Sequence, residues 1–410
     1  MKKIIFLFLV YQIVTISQGK DTLKVGRIKI DKVVPVMKLS LYTDPVKVSD
    51  TAKVLIKDSD LFLFRKDDFY GFIDSAGNII IKPQFYFAKD FSEGLAYADL
   101  GYTRGFIDKT GKLVIDLRSY TSDYFSDGVA LINFNMVGTD GGGMNLYKYI
   151  DKDANWLFKQ SYGYATPFKD GFALVKSKEG VRVISKEKMI AELYGDITPF
   201  AFSEGLARIR KKASNNYKWG YIDTTGKVVI EPIFDNAYDF SEGMAVVSKV
   251  DTTERNIINY YGYINKQGKI AISLLYSEAT DFSGGLAMLR IDSTCIGIDK
   301  YGNEIFSLNK FYFGVGFARC KFSEGLARGK FYRPGKSMSG YIDTTGNMSI
   351  AIEYSQADNF KNGLARIWQN SYGEWSYIDK NGEIIFNPDS ISSSIIPDSL
   401  KTYRSKGAVQ

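Results

Sequence analysis

The stretch that decides the fold is GYIDTTG at residues 220–226, because close variants of it recur along the chain. They are GFIDSAG at 71–77, GFIDKTG at 105–111, GYINKQG at 262–268, GYIDTTG at 340–346 and SYIDKNG at 376–382, with weaker copies from Lys148, Arg182 and Ile296. A second phrase, FSEGLA or a variant, starts at Phe91, Phe125, Phe168, Phe202, Phe240, Phe282, Phe322 and Phe360. Two interleaved phrases with a period of about forty residues predict a repeat architecture.

Each unit reads as a short β-meander. In the unit around GYIDTTG we predict one strand from Gly205 and a second from Lys218 to Asp223. The turn 224–226 then leads to a third strand, which we expect Pro232 to end because proline cannot donate to a ladder. We expect a short outer strand in the crossing 233–240.

The repeated Asp-x-x-Gly spacing has a mechanical reason. Aspartate at the first turn position accepts hydrogen bonds from the backbone ahead, and glycine supplies the positive φ of a tight reversal. We therefore interpret the recurring aspartates as turn residues rather than calcium ligands or catalytic acids; they are Asp74, Asp108, Asp151, Asp223, Asp299, Asp343 and Asp379. In FSEG we expect the glycine to do the same and the phenylalanine to point into the core. The FSEG glutamates are interpreted as corner residues; they are Glu93, Glu204, Glu242 and Glu324.

The spacing separates a constant part of the unit from a variable part. The turn position and the following FSEG phenylalanine are 17 residues apart in seven of eight units, with 23 residues from Asp299 to Phe322 as the exception. The distance from that phenylalanine to the next turn position varies between 17 and 26 residues. Insertions therefore concentrate in the loop between the first and second strands, and we expect these loops on one face of the array.

The segments outside the repeats divide the chain further. Residues 1–19, with Lys2 and Lys3 before an apolar run, predict a signal peptide, which implies a secreted, periplasmic or cell-surface protein with no membrane span in the mature chain. Residues 20–60 are strand-rich and predict a cap or a partial blade. Residues 61–388 hold nine repeat units, and residues 389–410 form a polar C-terminal tail.

The sequence KWGYID at 218–223, followed by Gly226, Pro232 and FSEGMA at 240–245, resembles the WG-repeat (KWG) family of bacterial secreted and surface proteins. The resemblance covers about residues 61–388, although the tryptophan of the motif occurs only at Trp219 and Trp375. Lys148, Arg182, Ile296 and Ser376 replace the glycine. The resemblance implies a repeat scaffold and no particular activity.

The fold class that follows is all-β, made of tandem antiparallel β-meanders. About forty residues and three or four strands per unit match the blade of a β-propeller. Nine units exceed the four to eight blades of typical propellers, so an open β-solenoid or spiral stays as the alternative. We favour the propeller-like ring.

The amino-acid composition excludes several classes of catalytic and metal site. The chain has no histidine, which removes Ser-His-Asp and Cys-His catalysis and histidine-ligated zinc. Two cysteines, Cys295 and Cys320, are too few for a closed zinc site, and their pairing is left open. A net charge of 53 − 46 = +7, without dense basic runs, argues against nucleic acid. We therefore predict no enzyme activity and no cofactor.

The leading hypothesis is a secreted, non-catalytic scaffold that binds a protein or a glycan through loops on one face. Aromatic and arginine side chains on inserted loops provide contact area and stacking, and the candidate ligand-binding residues are Tyr147, Tyr217, Tyr260, Tyr332 and Arg333. One alternative is a glycoside hydrolase or lyase that uses two carboxylates at a central pocket. Another is a purely structural spacer.

Overall fold

The structure is a computed structural model. It describes residues 44–48, 60–137, 143–176, 180–194, 197–213, 216–253, 256–292, 294–308, 321–333, 336–368, 374–398 and 400. The predictions for the signal peptide 1–19, for most of the segment 20–60, for the end of the polar tail and for Cys320 lie outside these residues. Cys295 is buried.

The described chain folds into nine antiparallel sheets, arranged as the blades of a nine-blade β-propeller. We number the blades 1 to 9 in chain order. Blade 1 contains the strands Phe62–Lys66, Phe69–Ile73 and Ile79–Phe85. Blade 2 contains Phe87–Ala88, Ala96–Asp99, Arg104–Ile107, Leu113–Arg118 and the early strand Val46–Lys47. Blade 3 contains Thr121–Ser126, Val129–Val137 and Gly143–Asp151. Blade 4 contains Phe172–Lys176, Gly180–Ser185 and Met189–Tyr194. Blade 5 contains Ile197–Ser203, Leu206–Ala213, Asn216–Asp223 and Val228–Phe234. Blade 6 contains Asn236–Ala237, Met244–Thr253, Asn256–Asn265 and Ile270–Tyr276.

Blades 7 to 9 repeat the four-stranded pattern. Blade 7 contains Glu278–Ala279, Leu286–Ile291, Thr294–Asp299 and Glu304–Leu308. Blade 8 contains Phe322–Ser323, Leu326–Arg333, Lys336–Asp343 and Met348–Tyr354. Blade 9 contains Gln356–Ala357, Ala365–Trp368, Ser376–Ile378 and Ile384–Phe386. Two 3₁₀ turns, Pro388–Ser390 and Ser393–Ile395, follow. The prediction of an all-β propeller is therefore confirmed.

Contacts between the first and last blades close the ring. The Trp375 indole N–H and the Tyr377 hydroxyl both donate to the carbonyl oxygen of Leu63, at 3.0 and 2.7 Å. The rings of Phe64 and Phe386 meet edge to face, with centroids 4.8 Å apart. These residues are buried, so blades 1 and 9 share one core. An open spiral would leave this surface uncovered.

Blade-to-blade packing explains the constant spacing of the repeats. The Tyr221 ring of blade 5 packs against Phe240 of blade 6, with centroids 4.9 Å apart, and both side chains are buried. The Tyr221 hydroxyl donates to the carbonyl oxygen of Tyr238 at 2.7 Å. Tyr263 repeats the arrangement with Phe282 and Thr280 one blade further on. This segment spans two packed blades, which explains why its length is the same in seven of the eight units.

The aspartate turns are confirmed as structural. Asp223 Oδ1 accepts the backbone N–H of Thr225 at 2.9 Å and of Lys227 at 3.0 Å, and Gly226 has φ +82°. Equivalent bonds to the backbone two and four residues ahead occur at Asp74, Asp108, Asp151, Asp299, Asp343 and Asp379. At Asp343 the hydrogen bond from the Thr345 side chain, with the backbone bonds, lowers the pKa of the carboxyl.

The FSEG corners are two-residue hairpins. Ser241 and Met244 exchange both backbone hydrogen bonds, and the residues between them, Glu242 and Gly243, have φ +53° and +84°. Positive φ at both central positions defines the turn that matches the strand twist. The preceding phenylalanine, Phe240, is 2% exposed. The predicted roles of this glycine and phenylalanine are both confirmed.

Two details of the predicted unit are wrong. The strand Val228–Phe234 continues through Pro232, because it lies at the outer edge of its sheet and bulges between the pairs Trp219–Phe234 and Tyr221–Ile230. A proline at such a position costs no ladder bond. The short strand in the crossing is Asn236–Ala237. It pairs with Met244–Thr253, and so it is the first strand of the next blade rather than an outer strand of its own.

The strand order gives the ring two different faces. The corners and the aspartate turns lie at one end of every blade, which we call the corner face. The hairpins that join the two long strands lie at the opposite end, which we call the hairpin face; in blade 5 this is the turn between Ala213 and Asn216. Because all blades repeat one topology, the inserted loops leave the ring together on the hairpin face.

Candidate functional site

The hairpin of blade 5 carries a cluster of aromatic and basic side chains on the hairpin face. Its two strands pair without a bulge, with Arg208 opposite Tyr221, Arg210 opposite Trp219 and Lys212 opposite Tyr217. Directly opposed residues in an antiparallel pair have side chains on the same face of the sheet. The regular register therefore aligns three cations and three aromatic rings in two columns.

These side chains form a stack. The Arg208 guanidinium carbon lies 4.4 Å from the ring centroid of Phe200 and 5.4 Å from that of Trp219. The Arg210 guanidinium carbon lies 4.5 Å from the centroid of Tyr217 and 5.8 Å from that of Trp219. Cation–π contact is favourable at these distances. We call Phe200, Arg208, Arg210, Tyr217 and Trp219 the blade 5 stack.

Arg208 has a structural role in the stack. Its Nε lies 2.8 Å from Asp239 Oδ1, and its Nη1 donates to the carbonyl oxygen of Ala237 at 3.0 Å. Both partners belong to blade 6. At the matching position of blade 8, Arg328 makes the same two kinds of contact with blade 9. This arginine position therefore joins adjacent blades.

Arg210 differs from the other arginines. Among the nine arginines whose side chains are described, seven form ion pairs with carboxylates: Arg65, Arg104, Arg182, Arg208, Arg290, Arg328 and Arg366. Of the other two, Arg118 is exposed and Arg210 is half-buried. Within the described chain, the Nε of Arg210 is buried and has no hydrogen-bond partner. Within the described residues, the stack thus holds a half-buried guanidinium that has no carboxylate partner.

The tip of the hairpin adds charge and an accessible ring. The Tyr217 side chain is 39% exposed, and the neighbouring Lys212 is exposed on the same face. On the opposite face of the hairpin, Lys218 is neutralised by Asp235 at 2.5 Å. On the face that carries Tyr217, no carboxylate of the described residues pairs with Arg210 or Lys212, and the Arg210 guanidinium lies over the Tyr217 ring.

The other predicted loop residues fall in different surroundings. Tyr260 is half-buried in the blade 6 hairpin, opposite Lys249. Its neighbour Tyr261 packs into the core, and burial raises the pKa of Tyr261 to about 12. Tyr147 exchanges backbone hydrogen bonds with Tyr162 and packs on the blade 3 core.

The last two candidates lie in blade 8. Tyr332 and Arg333 end the strand Leu326–Arg333, opposite Ser337 and Lys336, and their side chains lie outside what the structure describes. The structure thus places Tyr217, Tyr260 and the pair Tyr332 and Arg333 on hairpins of the same face in three different blades, and does not bring them together as one pocket. Sequence reasoning missed Arg210 and Trp219. The sequence pattern that could have identified them is Arg-Ile-Arg in one strand and Tyr-Lys-Trp in the next. Recognising that these residues face each other requires the register of the two strands.

A cavity lies at the seam where blade 9 meets blades 1 and 2. Its volume is about 110 Å³, and a more open cleft of about 520 Å³ adjoins it. Both are lined by Asp90 and Arg366, which form an ion pair, and Arg366 also donates to the Tyr377 hydroxyl at 2.8 Å. Asp358, also at the cavity, lies 3.8 Å from Arg328. These charges hold blades together.

No group of three or more Cys, Asp or Glu side chains in the described ranges is placed to hold a metal ion. No helix among these residues has the length and apolar character needed to cross a membrane.

Comparison with known families identifies the repeats. The WG containing repeat family matches residues 70–102, 105–135, 149–180, 219–249, 261–295 and 340–372. The six matches cover six of the nine repeat units, and each includes a GYID-type turn and an FSEG-type corner. The chain belongs to the WG-repeat family. No curated protein matches the chain.

Three solved structures share low sequence identity with this chain, and the first of them supports the fold alone. A crystal structure of the eukaryotic initiation factor is 11% identical, covers 80% of this chain and 95% of its own, and gives a TM-score of 0.53. The WD40 domain of SCAP from fission yeast is 10% identical, with coverages of 80% and 97% and a TM-score of 0.28. A protein of unknown function from Bacteroides caccae is 11% identical, with coverages of 53% and 93% and a TM-score of 0.20.

Proposed function

We propose that this protein is a secreted, non-catalytic repeat scaffold that binds a protein or a glycan through its hairpin face. The observation that carries the proposal is the blade 5 stack, because it displays an exposed ring and an uncompensated guanidinium on a rigid element. Aromatic and arginine side chains dominate the binding energy of most interfaces. A closed ring holds such groups in place at little entropic cost.

The two faces differ in a way that favours the hairpin face. On the corner face, turn aspartates and corner glutamates are occupied by bonds within and between blades, as at Asp223 and Glu204. On the hairpin face, insertions vary from blade to blade while the scaffold stays constant. Binding residues collect on variable loops held by a rigid framework. The corner face therefore stabilises the ring, and the hairpin face binds the ligand.

The test is a binding screen of the full chain against a glycan array and against envelope proteins of the source organism. We expect a hit that weakens at least tenfold when Tyr217, Tyr260, Tyr332 and Arg333 are all changed to alanine. Tyr301→Ala is the matched control, since Tyr301 is 89% exposed but lies beside an aspartate turn on the corner face. Equal binding by the fourfold variant and the wild type, or turnover of an arrayed glycan, would contradict the proposal.

A further inference from the structure

We infer that the blade 5 stack recognises a uronate residue of an acidic polysaccharide, with Arg210 and Lys212 taking the carboxylate and Tyr217 taking the sugar ring. This inference rests on the proposed binding function of the hairpin face and specifies its ligand. It follows from three properties of the site: the unmatched charge, the flat aromatic surface and the small size.

The unmatched charge points to a carboxylate-bearing ligand. Arg210 is half-buried between two rings, and no carboxylate of the described chain neutralises it. A half-buried guanidinium is well matched to a bidentate anionic partner, because its planar fork of donors fits two acceptor oxygens. In blade 7, at the same repeat position, Arg290 Nη2 lies 3.6 Å from Glu278 Oε2. No described carboxylate takes this place in blade 5, so the position is open to the carboxylate of a ligand.

The aromatic surface points to a sugar rather than a peptide. One face of Tyr217 is covered by Arg210, and the side chain is 39% exposed. An exposed ring beside a charge offers stacking to the C–H face of a pyranose. An acidic peptide would instead anchor through an apolar side chain in a pocket. Both cavities described above lie at the seam between blades 9, 1 and 2, and neither is lined by the stack.

The size of the site argues against a nucleic acid. A single strand is held by a basic groove that follows many phosphates. Among the described residues, the unpaired cations on this face of the hairpin are Arg210 and Lys212, while Arg208 is neutralised by Asp239. Two neighbouring cations fit one carboxylate at a time. A polyuronide presents such units repeatedly along its chain.

The experiment is isothermal titration calorimetry of the full chain with oligogalacturonate at low and high salt. We expect binding that salt weakens, because exposed charges are screened. Methyl-esterified oligogalacturonate, which keeps the sugar rings and loses the charges, should bind about tenfold or more weakly. Arg210→Gln should cause a similar loss for the acid form, while the matched variant Arg290→Gln should bind as the wild type does.

The other outcomes separate this inference from the proposed function. Binding of poly-L-glutamate as tight as that of oligogalacturonate, no binding of oligogalacturonate, or equal affinity of Arg210→Gln and wild type would each overturn the uronate assignment. If the fourfold alanine variant still abolished binding of another ligand, the proposed function would stand without it. Circular dichroism and thermal unfolding of each variant exclude misfolding as the cause of lost binding.

Discussion

At the scale of single residues, the repeated glycine of the GYID phrase makes room for a bulge in the outer strand. A Cβ atom on Gly220 would lie 2.4 Å from the carbonyl oxygen of Ile230 and 2.7 Å from the nitrogen of Pro232. Arg182 and Ile296 replace this glycine in blades 4 and 7, and there the outer strand pairs regularly at that position. The glycine is therefore required only where the neighbouring strand bulges against it.

Gly220→Ala should lower the free energy of unfolding by about 2 kcal/mol or more, because the atoms it would strike are backbone and cannot rotate away. The measurement is the denaturant midpoint of the full chain. Gly163→Ala is the control, since a Cβ atom there would meet nothing within 4 Å. Equal midpoints for the two variants would refute this steric role of Gly220.

At the scale of the element, the glutamate of an FSEG corner accepts hydrogen bonds from the backbone of the next corner. The Glu204 carboxylate of blade 5 accepts the backbone N–H groups of Glu242 and, at 2.9 Å, Gly243 in blade 6, and it lies 3.3 Å from Lys266. Burial opposes ionisation, but these bonds outweigh it and lower the pKa of Glu204. Glu204 itself has φ +54°, which costs a non-glycine residue about 1 kcal/mol or more. The bonds between corners offset that strain.

Glu204→Asn tests this contact without disturbing the turn. Asn362 occupies the same position in blade 9 with φ +52°, so asparagine suits the backbone. Its neutral side chain has one acceptor oxygen, so it keeps at most one of the two bonds to the next corner and loses the ion pair with Lys266. We expect the variant to lose about 1–3 kcal/mol of stability at pH 7. Glu231→Asn, on the exposed outer strand, is the control and should change stability little.

The pH dependence has a definite sign. Because the pKa of Glu204 is lowered by folding, its contribution is fully present above the unfolded pKa and disappears as the pH falls through the folded value. The stability difference between wild type and Glu204→Asn should therefore shrink in acid. A difference that stays constant from pH 7 to pH 3 would show that the variant acts through the turn instead.

At the scale of the whole molecule, repetition made the fold predictable. The two repeated phrases predicted the turn at Asp223 and Gly226, the buried phenylalanines and the number of units. They could do so because the same turns recur in successive blades and are formed by the same residue types. The continuation of the outer strand through Pro232 was not predictable. It depends on that strand having no partner on its far side, which is a tertiary property.

Closure of the ring and the details of the site needed the structure. The ends meet through contacts such as Trp375 with Leu63, which join residues that no local pattern relates. The candidate Tyr217 was found from its place on a loop and its residue type. Arg210 was missed because its importance lies in a missing counter-ion, and that becomes visible only when cross-strand neighbours and the partners of the other arginines are known.

Ring closure is the claim that supports the rest, and zero-length carbodiimide cross-linking tests it directly. The Lys66 ammonium lies 3.4 Å from the Glu374 carboxylate, although the two residues are 308 positions apart. Lys380 and Glu324, in neighbouring blades and 3.0 Å apart, provide an internal positive control. We predict a Lys66–Glu374 cross-link in the monomeric fraction, found by peptide mass spectrometry and lost in Lys66→Arg. A sample that forms the Lys380–Glu324 link but forms the Lys66–Glu374 link only between chains, or not at all, would contradict a closed ring.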